Sequence, residues 1–214
     1  TRRATGGDIK AGYTISDTLS TLWLYKYEVK KLYNYSDAMQ FDINNNIIQA
    51  PETDGSTSSI TASITRNTTD YHLDPTRGMI NNLSVEFAGL GGSNRFIRYI
   101  GDTRVFHPAF WDSVFSVSGS IGHIQGLSTV IPIDEKFYLG GINTIRGYGG
   151  RTVCPVISHP SGSVLAFGQD NNSIVNSYLG GDTEAYVNLE YVFPILKDAG
   201  LKGVLFVDAG NADD

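Results

Sequence analysis

"TEAYVNLEYVF", residues 183–193, alternates with a period of two. Val187, Leu189, Tyr191 and Phe193 fall on one side of an extended chain, and Glu184, Tyr186, Asn188 and Glu190 on the other. Successive side chains of a strand point to opposite faces, so the segment reads as a strand with one apolar and one polar face. The pattern recurs. In "VFSVSGSIG" (114–122), Phe115, Val117 and Ile121 oppose Ser116, Ser118 and Ser120. In "NNLSVEFAG" (81–89), Leu83, Val85 and Phe87 oppose Ser84, Glu86 and Ala88. In "SITASIT" (59–65), Ile60, Ala62 and Ile64 oppose Thr61, Ser63 and Thr65. Further strands are expected at 8–16, 19–34, 94–106, 131–139 and 201–208, and no segment carries the period of an amphipathic helix.

Strands of about ten residues suit a tilted membrane strand. A soluble sandwich would use shorter ones, with turns every 8–12 residues or so. The connections are of two kinds: tight ones such as "ISDT" (15–18) and "HPAFWD" (107–112), and long polar ones at 35–57 and 142–182. Outer-membrane barrels mix short periplasmic turns with long outer loops in this way. Tyr33, Tyr35, Phe106, Phe110, Trp111, Tyr138 and Phe193 lie near strand ends, where aromatic girdles sit. The serines opposite the apolar faces suit a water-filled lumen. The expected fold is therefore all-β, an antiparallel transmembrane β-barrel, with a soluble all-β protein as the alternative. A membrane barrel must close, since an open edge leaves backbone groups unpaired in lipid. About nine strands and abrupt chain ends point to part of a barrel over residues 1–214, with strands missing at one or both ends.

Composition narrows the function. The chain is rich in Gly (24), Tyr (12) and Phe (10), and its net charge of −6 comes with no long run of Lys or Arg. That argues against a nucleic-acid surface and against attraction to an anionic membrane surface. No stretch approaches the roughly 18 apolar residues of a membrane helix. The N-terminus lacks the apolar core of a signal peptide, which fits a mature or excised piece, or a protein that is not exported. A single cysteine, Cys154, excludes an intrachain disulfide and is assigned no chemistry. His72, His107, His123 and His159 are too scattered to suggest a metal site. "FDINNN" (41–46) has calcium-loop spacing at Asp42, Asn44 and Asn46, but lacks the following glycine and closing glutamate. Asn67-Thr68-Thr69 is a glycosylation sequon, which carries no meaning if the source is bacterial, and "GGSN" (91–94) is a turn, since no helix follows it. No serine has G-x-S-x-G context. Neither a catalytic residue nor a cofactor is expected.

One arginine stands apart. "FYLGGINTIRGYGGR" (137–151) places Arg146 among glycines that let the backbone turn tightly. Glu190 lies on the polar face of 184–193, and Asp208 ends "GVLFVD". If these strands are antiparallel neighbours joined through "PILKDAG", both acids could face one lumen. An arginine fork bonds carboxylates with fixed geometry, and hydrogen bonds to charged groups are worth about 1.5–3 kcal/mol each. Such a pin would offset the entropy of ordering a long loop. The local sequence alone favours a solvated arginine in a flexible turn; the two acids on the following strands bring the two readings nearer even. In "DPTRG" (74–78), Arg77 could close a turn on Asp74.

These residues resemble a known family, the outer-membrane barrel-assembly (BamA-like) proteins and their relatives. That family carries [V/I]-R-G-[F/Y] at the tip of its sixth outer loop after a Leu-Gly-Gly turn. The match here is Ile145, Arg146, Gly147 and Tyr148, following Leu139, Gly140 and Gly141. Asp74, Pro75 and Gly78 are similar to the family's Asp-Pro-x-x-Gly near a middle strand. The strands "VNLEYVFPI" and "GVLFVDAGN" look like the two that follow the loop, whose acids receive the arginine, here Glu190 and Asp208.

The resemblance covers about residues 8–212. It implies a segment running from near the fifth to near the thirteenth of sixteen strands. Periplasmic POTRA domains and the terminal strands of the lateral gate would then lie outside it. It also implies a non-enzymatic insertase, integral to the bacterial outer membrane, that receives unfolded outer-membrane protein precursors. Such an insertase would template their strands at an open seam and disturb nearby outer-membrane lipids, with assembly lipoproteins binding the periplasmic domains. Other readings are a two-partner secretion pore of the same superfamily, a barrel fused to a patatin-like lipase, and a diffusion porin. The porin gives no reason for an arginine-pinned loop.

Overall fold

A computed structural model describes residues 2–32, 55–127, 131–160 and 174–214. Eight long strands form one antiparallel sheet: β1 Arg2–Ser16, β2 Leu19–Leu32, β3 Gly55–Asn67, β4 Gly78–Ala88, β5 Phe96–Pro108, β6 Val114–Gly126, β9 Thr183–Leu196 and β10 Leu201–Asp213. Their order in the sheet is β1-β2-β3-β4-β5-β6-β9-β10. Two short strands, β7 Val156–Pro160 and β8 Ile174–Tyr178, pair with each other in a separate two-stranded sheet. The one helical turn among the described residues is a 3-10 turn, Phe110–Asp112.

The register explains the alternation. Ile64 pairs with Leu83, Val105 with Val117, Val117 with Leu189, and Leu189 with Val207, so apolar residues line up across the sheet on one face. On the other face Ser116 pairs with Glu190, Ser120 with Tyr186, and Asn188 with Asp208. The apolar face is the exposed one: Ile121 is 63%, Leu205 64% and Val207 66% accessible. The polar face is shielded, with Ser59, Glu86, Ser116, Ser120 and Asn188 all buried. In a soluble protein so large an apolar surface would be a liability; lipid makes it an asset. The strands run from 11 to 15 residues, enough to cross a bilayer at a tilt.

Residues 17–18, 68–77, 109–113 and 197–200 connect strands at one end of the sheet. At the opposite end β4 and β5 are joined by 89–95, and β6 and β9 by 127–182. Most of the expected long loop 35–57, with Tyr33, Tyr35 and "FDINNN", lies outside the described residues.

The long loop starts earlier than its expected residue 142, because residues 131–139 are not a sheet strand. They turn at Pro132–Glu135 and make two isolated bridges, Phe137 with Gly181 and Leu139 with Val153. Alternating apolar residues mimic a strand here. Pro132, however, has no ladder N–H to give, and Asp134-Glu135-Lys136 would set charge against lipid on either face. The segment instead folds against the lumen wall. Ile131, Phe137, Leu139 and Ile145 form a buried cluster with Ala88, Phe96, Ile124 and Ala212 from the loop-side ends of β4, β5, β6 and β10. The aromatic expectations divide. Phe115, Tyr191 and Phe193 stack along the outer face near the turn end, and Phe110 and Trp111 are exposed on the 109–113 turn. Phe106 pairs with Ser116 on the lumen face, and Tyr138 is held within the loop by the carbonyls of Ile133 and Leu179.

Candidate functional site

The loop reaches the wall through a turn built on glycine. Gly140 and Gly141 have φ of 107° and 99°, in the left-handed region where side chains are strained, and a Cβ on Gly140 would run into the carbonyl of Gly149. The Gly140 N–H donates to Thr144 Oγ1 at 2.8 Å, and the Gly141 N–H to the Ile145 carbonyl at 3.1 Å. The turn sends Ile145 into the buried cluster and Arg146 onto the wall. Gly147, φ 88°, lets the chain leave, and Tyr148 is exposed.

Arg146 meets both acids. Its Nε and Nη2 donate to the two oxygens of Asp208 at 2.7 and 2.5 Å, and Nη1 donates to Glu190 Oε1 at 2.5 Å. The Arg146 backbone N–H adds a bond to Asp208 Oδ2 at 2.9 Å, and the guanidinium lies 3.7 Å over the Phe206 ring. Asn188 Nδ2 donates to the Thr144 carbonyl at 2.5 Å, and Ser116 Oγ to Glu190 Oε2 at 3.3 Å. Hydrogen bonds to Asp208 and Glu190 raise the Arg146 pKa further above its ordinary value, so the cation is permanent. Glu190 lies seven residues into β9 from Thr183, so at about 3.4 Å per residue the loop tip reaches about 24 Å down the wall. Phe106, Arg104, Asn143 and Asn188 help line a polar cavity of about 230 Å³ beside the pin.

Asp74, Pro75 and Gly78 lie at the opposite end. Gly78 opens β4 with φ 101°. Asp74 does not close on Arg77 as expected; it accepts from Lys202 at the start of β10. The clamp of this connection is Asp70, which accepts from the Thr76 N–H and Tyr71 N–H at 3.0 Å, the Thr76 hydroxyl at 2.6 Å and the Arg77 N–H at 3.3 Å. The Thr76 hydroxyl foremost, with these backbone donors, holds the Asp70 carboxyl near pH 2.

Sequence reasoning missed a second cluster on the lumen wall. Glu135, in the loop, accepts from Lys30 of β2 and from Arg98 of β5, the latter at 2.7 Å. Arg98 also donates to the Glu135 carbonyl at 2.6 Å and to Glu86 of β4 at 2.8 Å, and Lys30 pairs with Asp134 at 2.7 Å. Lys30, Glu86 and Glu135 are all buried. Burial alone would push the Glu135 carboxyl up, but hydrogen bonds and charge from Lys30 and Arg98 outweigh it and bring the pKa from 4.5 to about 2. A carboxylate on the same side of a supposed strand as Ile133 and Phe137 was the available signal, but its partners lie 105 and 37 residues away.

Among the described residues no three His, Cys, Asp or Glu are placed to hold a metal. His72 bonds Asn67, and the Cys154 thiol approaches the Arg151 carbonyl at 3.9 Å.

Comparison with known proteins fits this architecture. A family model described as the Omp85 superfamily domain matches residues 1–214. The chain is 29% identical over 213 residues to the outer membrane protein assembly factor BamA of Nitratidesulfovibrio vulgaris, covering 96% of this chain and 24% of that one. It is 30% identical over 154 residues to BamA of Neisseria meningitidis serogroup B, covering 70% of this chain and 18% of that one. The chain thus spans a quarter or less of these relatives. The crystal structure of BamA from Haemophilus ducreyi lacking POTRA domains 1–3 superposes with a TM-score of 0.77 at 17% identity, over 99% of this chain and 42% of that one, a likeness of fold.

Proposed function

Because this chain belongs to the Omp85 superfamily, we propose that it is the loop-bearing segment of an outer-membrane assembly factor. It lies in the bacterial outer membrane as part of a β-barrel. Its eight long strands would supply half of a sixteen-stranded wall, with POTRA domains and the gate strands outside residues 1–214. The loop, pinned by Arg146 to Glu190 and Asp208, braces that wall. The parent protein folds unfolded outer-membrane precursors into the bilayer at a seam, by adding strands to an unpaired edge. Surrounding lipids, and assembly lipoproteins bound through the periplasmic domains, are its further partners.

The observation that carries this reading is the Arg146 fork, which holds a long loop deep against the lumen wall. A pore for passive diffusion has no use for it. The names of both curated relatives favour assembly over the secretion pore and the enzyme fusion. The test is complementation in the full-length parent with Arg146→Glu, Asp208→Arg and the double reversal, reading outer-membrane barrel levels. Loss in each single and partial recovery in the double supports the brace. Unchanged levels in Arg146→Glu refute it.

A further inference from the structure

Among the described residues the loop meets the lumen face of the long strands at two charged places of opposite polarity, and Lys136 also reaches the exposed Asp214 beyond the end of β10 at 2.8 Å. At one, a loop cation meets wall acids on β9 and β10. At the other, a loop anion meets wall cations on β2 and β5. We propose that Glu135 is a second anchor, a positioning residue that seats the near end of the loop as Arg146 seats its tip. The proposal rests on the reading of the loop as a brace.

Four features argue for a built anchor over an incidental contact. Glu135 is buried, with both carboxylate oxygens engaged by cations. Its carbonyl accepts from the same guanidinium, so side chain and backbone are held together. The cations are themselves tied down: Glu86 binds Arg98 at 2.8 Å and lies 3.7 Å from Lys26, while Glu28 lies 3.6 Å from Lys30. Signs thus alternate across β2, β4 and β5. Finally, Arg98 sits 5.1 Å over the Phe96 ring and 5.9 Å over Phe137, which couples the ion network to the apolar cluster that buries the loop.

The placement has a mechanical meaning. β2 and β10 are separated in the sheet by five strands, so a loop fastened to both is a chord across the arc of the wall. One anchor would locate the loop; two make it resist a change of curvature. Breaking a buried pair by removing one partner is costly because it strands the other charge, so the effect of losing Glu135 should depend on Arg98.

The test uses the full-length parent in native outer membranes, with Cys154→Ser and a reporter at Leu139→Cys, a position fully buried when the loop is seated. Labelling by a membrane-impermeant maleimide then reports the seat independently of assembly, and heat-modifiable migration on gels confirms a folded barrel. Glu135→Gln and Arg98→Met are each expected to raise the labelling rate by about tenfold, and the double variant no more than either single. A rate within about twofold of the parent in Glu135→Gln, or effects that multiply in the double variant, would overturn the proposal. Lost protection with normal barrel levels would uphold the anchor and refute the brace.

Discussion

Arg146 occupies its site as a fork, and a lysine could not replace it. Two nitrogens address Asp208 and a third addresses Glu190, while the planar cation covers Phe206. Arg146→Lys keeps the charge but loses the bidentate geometry and most of the stacking. It is expected to cost more than half of the effect of Arg146→Ala on loop protection, read as labelling at Leu139→Cys; equal protection in Lys and Arg would show that charge alone suffices. Glu135 adds a pH dependence. Its folded pKa of about 2 lies below the ordinary 4.5, so its contribution is complete above about pH 4.5 and fades as pH falls towards 2. The loop should resist pepsin at pH 4 and become cleavable near pH 2; cleavage already at pH 4 would contradict the assignment.

At the scale of elements, alternation located the sheet well because lipid on one side and polar lumen on the other impose it over the middle of β3, β4, β6 and β9, while their ends depart from it, as Ile124 does in the buried cluster. The same rule misread 131–139, whose apolar residues face a buried cluster inside the barrel. Periodicity reports that a side is apolar, not which solvent or surface lies beyond it. Arg146 stood out because glycine and a family pattern flank it. Asp208 was ambiguous in a strand apolar on both faces, and its register opposite Asn188 puts it on the lumen side. Glu135 had only a weak local signature, a carboxylate on the apolar side of the misread strand, and its partners come from distant strands. The Gly140 turn is the element's hinge: Gly140→Ala places a Cβ against the Gly149 carbonyl at a φ that disfavours side chains. It is expected to release the loop as fully as Arg146→Ala, whereas Gly150→Ala, with open space around it, should not. The 68–77 connection is organised by Asp70. Asp70→Ala should speed amide exchange at Thr76 and Arg77 while leaving Arg146 seated, and unchanged exchange would show that the strand ends alone shape this turn.

The whole molecule is apolar outside and charged within. Trp23 is exposed on β2, four residues in from its turn end, and Trp111 on the turn itself, 53% and 86% accessible. In single-tryptophan versions of the parent, lipids brominated deep in the acyl chain should quench Trp23 more than Trp111, with the order reversed for bromine near the headgroup. The charged interior is joined across the sheet by one loop held at Glu135 and Arg146, so under the proposed function the loop's seat, and not the arginine's chemistry, is the requirement for assembly. That claim can be measured by replacing the ion pair with a covalent link. The Arg146 backbone N–H already donates to the Asp208 carboxylate, so the positions are close enough for a short thiol crosslink. In the full-length parent carrying Cys154→Ser, Arg146→Cys and Asp208→Cys, barrel assembly into liposomes should be poor when the thiols are reduced and recover when they are crosslinked. Efficient crosslinking with no recovery would contradict the account, and would mean that the guanidinium does something beyond holding the loop in place.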